Sequence, residues 1–325
     1  MNFFRKYGFE ILKWLIFAGS ILFLVNRIYF HQEYRDVFSN FNFYKSTNLL
    51  YMFIAFCLMF VNWGLEAIKW KYAIRGIRKI TFIKAYAAVF AGTSVSLFMP
   101  NRTGEFVGRI FALPRTERVK AVFASIVASF SQLMVTIIIG TIALFALYYL
   151  FPGNALIEHG LKPWIKIPAI IVAVLSLMLY FKISWFTYFF ENWKILKKYS
   201  KTAQILKTFN ALILLNFILL SLLRYLVFLA QFYFLINFFG IELDFWSCAL
   251  SSALTFYVVT IIPTFTLAEI GIRGSVAVIF FGFYTNMYAE IISASTLLWL
   301  INVGLPALIG NIFVAGFKES EKNNL

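Results

Sequence analysis

Six stretches of this chain, near residues 9–28, 47–66, 121–150, 164–182, 209–238 and 289–315, run for about twenty residues or more with few charges. A helix needs ~20 predominantly apolar residues to cross the hydrocarbon core of a bilayer. Inside lipid every backbone N–H and C=O must find its partner within the segment, so crossing stretches of this kind are helices. The composition agrees. Apolar residues make up 62% of the 325 and charged residues 13%, which is too little polar surface to coat a water-soluble globule of this size. The sequence therefore predicts an all-α polytopic membrane protein, read as a single integral membrane domain over residues 1–325.

Several classes fall with the soluble one. Cys57 and Cys248 each lie inside an apolar run, so no disulfide framework or thiolate metal site is indicated. His31 and His159 stand far apart outside the apolar runs, which leaves no metal cluster and no His-based triad to build. No G-x-x-x-x-G-K-[S/T] occurs, so an ATP-driven pump is not encoded, and no cofactor is expected. The net charge of +15 is read as the positive-inside rule plus attraction to anionic lipid headgroups. Nucleic acid is not expected as a partner, because no soluble basic domain or aromatic-basic module is present to carry it.

The N-terminus starts like a signal peptide, with Arg5, Lys6 and Lys13 before an apolar core. That core is long, ends in Asn26-Arg27 and is followed by no small-x-small cleavage site, so an uncleaved first span is expected. With six crossings and the N-terminus inside, twenty Lys and Arg fall in cytoplasmic segments and five outside. Lys69 and Lys71 are counted with the cytoplasmic charges. Such a split supports a topology with both termini cytoplasmic. Arg102, Arg109, Arg224 and Arg273 remain, inside apolar regions.

Two further apolar stretches, about 82–99 and 246–262, are rich in small residues and stop at Pro100 and Pro263. Each is followed by a short polar, glycine-containing sequence and a second short apolar piece, 106–113 and 275–284. Pro and Gly break helices, and a broken helix is tolerated in a membrane where protein or a water-filled cavity covers it. If 82–99 crossed completely, every later loop would invert and the basic 182–208 loop would lie outside. A re-entrant hairpin entering from the cytoplasm avoids this. By the same logic 246–284 is a re-entrant hairpin entering from the outer side.

The two hairpins echo one another. Pro100, Glu105 and Arg109 in the first correspond to Pro263, Glu269 and Arg273 in the second, and the two glutamates are 164 positions apart. The chain thus reads as an inverted repeat, with halves at about 1–151 and 163–317. Inverted repeats with paired broken helices meeting near the midplane are a transporter signature.

Charged side chains deep in a membrane cost about 2.5–3.5 kcal/mol each on the insertion scale. Glu105, Arg109, Glu269 and Arg273 therefore need partners. One reading is plain: Glu and Arg at i, i+4 share a helical face and pair internally. The other takes the recurrence of the pattern as functional. On that view the hairpin tips meet around a polar cavity where Arg102, Arg109 and Arg273 hold an anionic headgroup, since guanidinium matches phosphate oxygens bidentately. The return helices' N-termini would add backbone donors. Glu105 and Glu269 would orient the arginines or exchange protons.

Arg224, midway through 209–238, reads either as a snorkelling or carbonyl-paired side chain or as a cavity wall. Asn62, Glu66, Gln132 and Asn216 read as interhelical hydrogen-bonders. Trp14, Trp63, Trp70, Trp164, Trp185 and Trp193 read as interfacial anchors. The 187–208 segment reads as a basic amphipathic strip on the cytoplasmic leaflet.

The run Pro100-Asn-Arg102-Thr-Gly104-Glu105 through Arg109 resembles the P-x-R-x-G-E-x-x-R-like motif of the lysylphosphatidylglycerol synthase transmembrane region family, also called flippase-like domain proteins. The family's second, P-x-x-G-G-x-G-x-x-E-like motif is echoed by Pro263, Gly271 and the apolar run ending at Gly282. Here the glycine pair is missing, Glu269 precedes Gly271, and Gly274 stands near the family's Glu.

The resemblance implies a lipid-handling protein of the bacterial cytoplasmic membrane. Only Lys318 to Leu325 follow the last span, so a soluble synthase domain is not expected. The expected function is movement of an anionic phospholipid or polyprenyl-phosphate-type lipid between leaflets, with Arg102, Glu105, Arg109, Arg224, Glu269 and Arg273 as substrate-binding residues. Two rivals rank below it. One is a membrane enzyme on a lipid-linked substrate with Glu105 or Glu269 as acid/base, for which no nucleophile is evident. The other is an ion-coupled carrier of a small solute, whose cavity would be sealed from lipid.

Overall fold

The computed structural model describes residues 46–97, 99, 102–151, 165–193, 196–262 and 268–322. The expected span at 9–28, together with Pro100, Pro263, Trp14 and Trp164, lies outside the described residues. Among the described residues, regular structure is entirely helical: α1 (Ser46–Ala73), α2 (Phe82–Ser96), α3 (Gly104–Arg109), α4 (Arg115–Leu150), α5 (Lys166–Phe181), α6 (Phe186–Asn192), α7 (Ala211–Phe238), α8 (Phe245–Ile261), α9 (Ala268–Phe281), α10 (Tyr288–Trp299) and α11 (Leu305–Lys322). A π-helical turn, Leu300–Gly304, joins α10 to α11. Four of the described spans (α1, α4, α7 and the joined α10–α11) are long and apolar enough to cross a membrane. The fifth candidate is α5 with its continuation Ile183–Asn192, bent by 70°. The protein is an all-α polytopic membrane protein.

Local chemistry sets where the helices begin and end. The Thr81 hydroxyl accepts from the Lys84 amide at the start of α2, and Asn210 accepts from Ile213 at the start of α7. Asp244 caps α8 by accepting from the amides of Trp246 and Ser247 at 2.9 and 3.0 Å. Such caps satisfy amides that a helix leaves unpaired at its first turn. The end of α7 is closed by Gly240 at φ 81, a left-handed conformation that favours glycine. The Gly240 amide donates to Asn237 O and the Ile241 amide to Ile236 O, so α8 starts on the face where α7 finishes.

The two broken segments fold back as expected. Arg78, just before α2, pairs with Glu117 in the first turn of α4 at 3.0 Å, so the chain returns to the face it left. The return is a close one: a Cβ on Gly92 would lie 2.7 Å from the Glu105 carbonyl, and one on Gly108 would strike the Ala91 carbonyl. In the second hairpin Ser251 Oγ, early in α8, donates to the carbonyl of Phe280 near the end of α9 at 3.2 Å. Rings of Phe283 and Tyr284 lie against Phe151 at the end of α4. The hairpins therefore enter from opposite faces. One face carries the basic ends of α1 and the start of α4; the other carries the ends of α4 and α7.

Boundaries differ from the sequence expectation in three places. Helix α1 runs on to Ala73, past the expected 66, because the added turn is buried: Ala67, Trp70 and Ala73 recur at helical spacing with exposures of 0, 0 and 5%. The second return helix begins at Ala268, ahead of the apolar piece at 275–284, and takes in Glu269 and Arg273, whose charges are matched by ion pairs. The span expected at 289–315 is interrupted by the π turn just before Pro306. Proline lacks an N–H and its ring crowds the preceding turn, which is where such insertions arise.

Candidate functional site

The middle of the molecule is where polar groups of several spans converge. Gln132 lies near the middle of the 36-residue α4, Arg224 at the middle of the 28-residue α7, and Asn302 halfway along the Tyr288–Val314 span. These residues and the two hairpin tips line a cavity of about 690 Å³. That volume falls in the range of small-molecule sites, ~300–1,000 Å³.

Two carboxylates organise the charges around it. Glu66 of α1 accepts from Lys69 at 2.9 Å, from Arg109 at 2.8 Å, and from Arg224. Glu269 of α9 accepts a bidentate fork from Arg102, with Nε to Oε2 at 3.1 Å and Nη2 to Oε1 at 3.0 Å, and a further bond from Arg273. Arg102 stands at the tip of the first hairpin and Glu269 at the tip of the second, so this pair joins the two hairpins. Arg102 itself has φ 54, a left-handed conformation unusual for a side chain with a Cβ. Strain of that kind persists where surrounding contacts over-determine it, and the fork to Glu269 supplies such contacts.

A third carboxylate, Glu105, pairs with Arg109 at 2.9 Å. Among the described residues the network thus sets five cations, Lys69, Arg102, Arg109, Arg224 and Arg273, against Glu66, Glu105 and Glu269, an excess of two positive charges. Neutral side chains finish it. Arg224 Nε donates to Asn62 Oδ1 at 2.7 Å, while Asn62 Nδ2 donates to Asn302 Oδ1 at 3.0 Å. Asn302 sits in the π turn, an irregularity common at functional sites.

The six residues expected from sequence come together in this network. Arg102, Glu105, Arg224, Glu269 and Arg273 line the cavity. Arg109 stands behind the wall, 1% exposed and clasped between Glu66 and Glu105. Both i, i+4 pairs form, and each is also tied to another part of the fold, Arg109 to Glu66 of α1 and Glu269 to Arg102 of the first hairpin. Arg224 neither snorkels nor seeks a backbone carbonyl; it is the second arginine on Glu66, with Trp63 beneath it at 5.4 Å. At the first return helix the amides of Glu105 and Phe106 are taken by the carbonyls of Arg102 and Thr103.

Four expectations need correction. Glu66 is the hub of the ion-pair network and not a simple interhelical hydrogen-bonder. Lys69, counted among the cytoplasmic charges, is fully buried beside it. Trp63 and Trp70 are not interfacial anchors: they are 3% and 0% exposed, and the Trp70 indole donates to Ser125 Oγ. Trp185 and Trp193, at 62% and 60%, do face outward. Finally, the two motifs are not equivalent, for Glu269 takes arginines from both hairpins whereas Glu105 takes one from its own.

The signal for Glu66 and Lys69 was present in the sequence. A carboxylate and an amine one turn apart, flanked by Trp63, Ala67 and Trp70, mark a turn buried on that side. For Asn302 the signal was Pro306, four residues on.

A polytopic helical membrane protein with a charged cavity at mid-depth, built where two oppositely inserted hairpins meet, is the class that fold and site define. The chain belongs to the lysylphosphatidylglycerol synthase TM region family, whose model matches residues 11–310, nearly the whole sequence. The family is named for the membrane part of an enzyme whose product is a lipid. No curated protein and no solved structure matches the chain.

Proposed function

We propose that the protein moves an anionic lipid, of phospholipid or polyprenyl-phosphate type, between the two leaflets of its membrane. The observation that carries this reading is the excess of two positive charges in the ion-pair network around a cavity whose lining also includes exposed apolar side chains. Phe130 of α4 and Ile261 of α8 line the cavity and are 39% and 64% exposed. On this reading Arg102, Arg224 and Arg273 hold the headgroup, and the acyl chains leave along the apolar edge of the cavity at Phe130 and Ile261. Of the cavity arginines Arg102 is the most open, 30% exposed, and a phosphate competes with Glu269 for its fork.

A sealed cavity would have favoured a small solute. An enzyme using Glu105 or Glu269 as general acid fits less well, because both carboxylates are already engaged by arginine, Glu105 by Arg109 and Glu269 by Arg102 and Arg273. The reading takes the basic face as cytoplasmic in a bacterial inner membrane, with membrane lipid as the partner.

The test is leaflet exchange of fluorescent phosphatidylglycerol in reconstituted vesicles, read by quenching of the outer leaflet. The native protein should exchange the probe, and Arg102→Ala should reduce exchange to the protein-free rate with helical content and unfolding midpoint retained. Exchange by Arg102→Ala at the native rate sinks the assignment.

A further inference from the structure

Four of the five cations around the cavity are arginines, and arginine keeps its proton at any working pH. Lys69 is the exception. Its ammonium is fully buried and donates to Glu66 Oε2 at 2.9 Å and to Ser221 Oγ at 3.0 Å. Ser221 in turn is 2.7 Å from Ser131 Oγ, which donates to the Ala128 carbonyl.

The charges that face Lys69 come from three helices. Its own helix supplies Glu66, α3 supplies Arg109 and α7 supplies Arg224, the last two on the same carboxylate. Helix α4 contributes the Ser131 hydroxyl through Ser221. Helix α2, packed along α1, presents Tyr86, whose hydroxyl is taken by the Phe60 carbonyl. The π turn presents neutral Asn302. Across the cavity stand Arg102, Glu105, Glu269 and Arg273.

A buried site with two surplus positive charges is relieved by losing a cation, and every carboxylate in it is already held by arginine. Protonating Glu66, Glu105 or Glu269 would make the surplus worse. Releasing the Lys69 proton makes it smaller, and a neutral amine still donates to Glu66 and Ser221. An anion in the cavity reverses the balance, since its charge favours the ammonium.

We infer that Lys69 couples anion binding to proton uptake: as an anionic headgroup enters, the Lys69 amine takes one proton from water in the cavity, and as the headgroup leaves it returns that proton. This rests on the reading of the cavity as an anion site. It also goes further, because it joins occupancy of the site to the proton gradient. A proton entering from one face with the headgroup and leaving with it at the other gives the exchange a direction.

Dihexanoyl-phosphatidylglycerol is a suitable probe, because its phosphodiester carries one charge throughout the range tested. With the native protein in detergent, its Kd should rise with pH by up to about tenfold per unit once Lys69 begins to discharge. A dye in weakly buffered medium should report proton uptake approaching one per bound probe. Lys69→Arg, which cannot discharge, and Lys69→Met, which cannot charge, should both give a flat Kd and no uptake, and either variant suffices if the other fails to fold. A flat native profile, or the native slope in either variant, overturns the inference. Absence of binding at any pH overturns it together with the anion site. Coupled uptake without exchange in vesicles instead sinks the transport reading alone and leaves this one standing.

Discussion

Glu66 accepts from Lys69, Arg109 and Arg224 at once, so a neutral substitute leaves three buried cations facing one another. Breaking a buried ion pair by removing one partner typically costs about 3–5 kcal/mol. Glu66→Gln should lower unfolding stability in detergent by about that much. Among the described residues Glu105 forms one ion pair and is 19% exposed, and Glu105→Gln should cost on the order of 1 kcal/mol. Equal midpoints for the two variants in chemical unfolding would remove Glu66 from the centre of the network. The separation between residue types also has a physical basis. Arginine at 109 is walled in between two carboxylates, where its planar fork bridges both, while arginine at 102 keeps an open edge toward the cavity. Position, not residue type, divides the structural arginine from the ligand-facing one.

At the scale of elements, the first hairpin depends on a glycine contact. A methyl on Gly108 would strike the Ala91 carbonyl and approach Gly92 Cα at 2.5 Å, both backbone atoms that cannot swing aside. Gly108→Ala should therefore force α3 away from α2, at a cost of about 1–3 kcal/mol or more. Gly76→Ala, with nothing within 4 Å, is the matched control and should leave the unfolding midpoint in place. The same hairpin was readable in the sequence from its small residues and Pro100. In its partner α9 the i, i+4 spacing of Glu269 and Arg273 already placed both on one helical face, and the pair forms there.

At the other face, hydrogen bonds from the Ser247 side chain, then from the Ser247 and Trp246 amides, hold the Asp244 carboxyl below the usual carboxylate range. A carboxylate with a lowered pKa in the folded state adds stability above its unfolded pKa. That stability is lost as the pH falls through the folded value. Acidification should consequently weaken the native α8 cap, whereas Asp244→Asn, a comparable cap without a charge, should lose less between pH 6 and pH 3 in a thermal unfolding series, on the order of a few degrees' difference.

For the whole molecule, two hairpins entering from opposite faces require their bases to be reached from opposite sides. Single cysteines at Arg78 and at Asp244, introduced with Cys57 and Cys248 replaced, should react with an impermeant thiol reagent from opposite sides of sealed vesicles. Labelling of both from one side would undo the topology. Outside the helical core, the bent segment after α5 sets exposed Trp185 and Tyr188 beside Lys182, whose ammonium lies 5.3 Å from the Trp185 ring.

Whether a twenty-residue segment prefers lipid to water depends on its own side chains, so the sequence by itself determined that this chain spans a membrane as helices and where most of those helices lie. Small residues and prolines are equally local, and they marked both hairpins. Charge partners are not local. Arg109, Arg224 and Arg102 reach their carboxylates across 43, 158 and 167 positions, and no periodicity records such pairings. Only the tertiary structure therefore decided that Glu66 and Lys69 belong to the site, that Arg109 stands behind the cavity wall, and that the Arg102–Glu269 fork joins the two hairpins. A charge inside a membrane must be matched by whatever the fold brings within about 3 Å, and that is a property of packing.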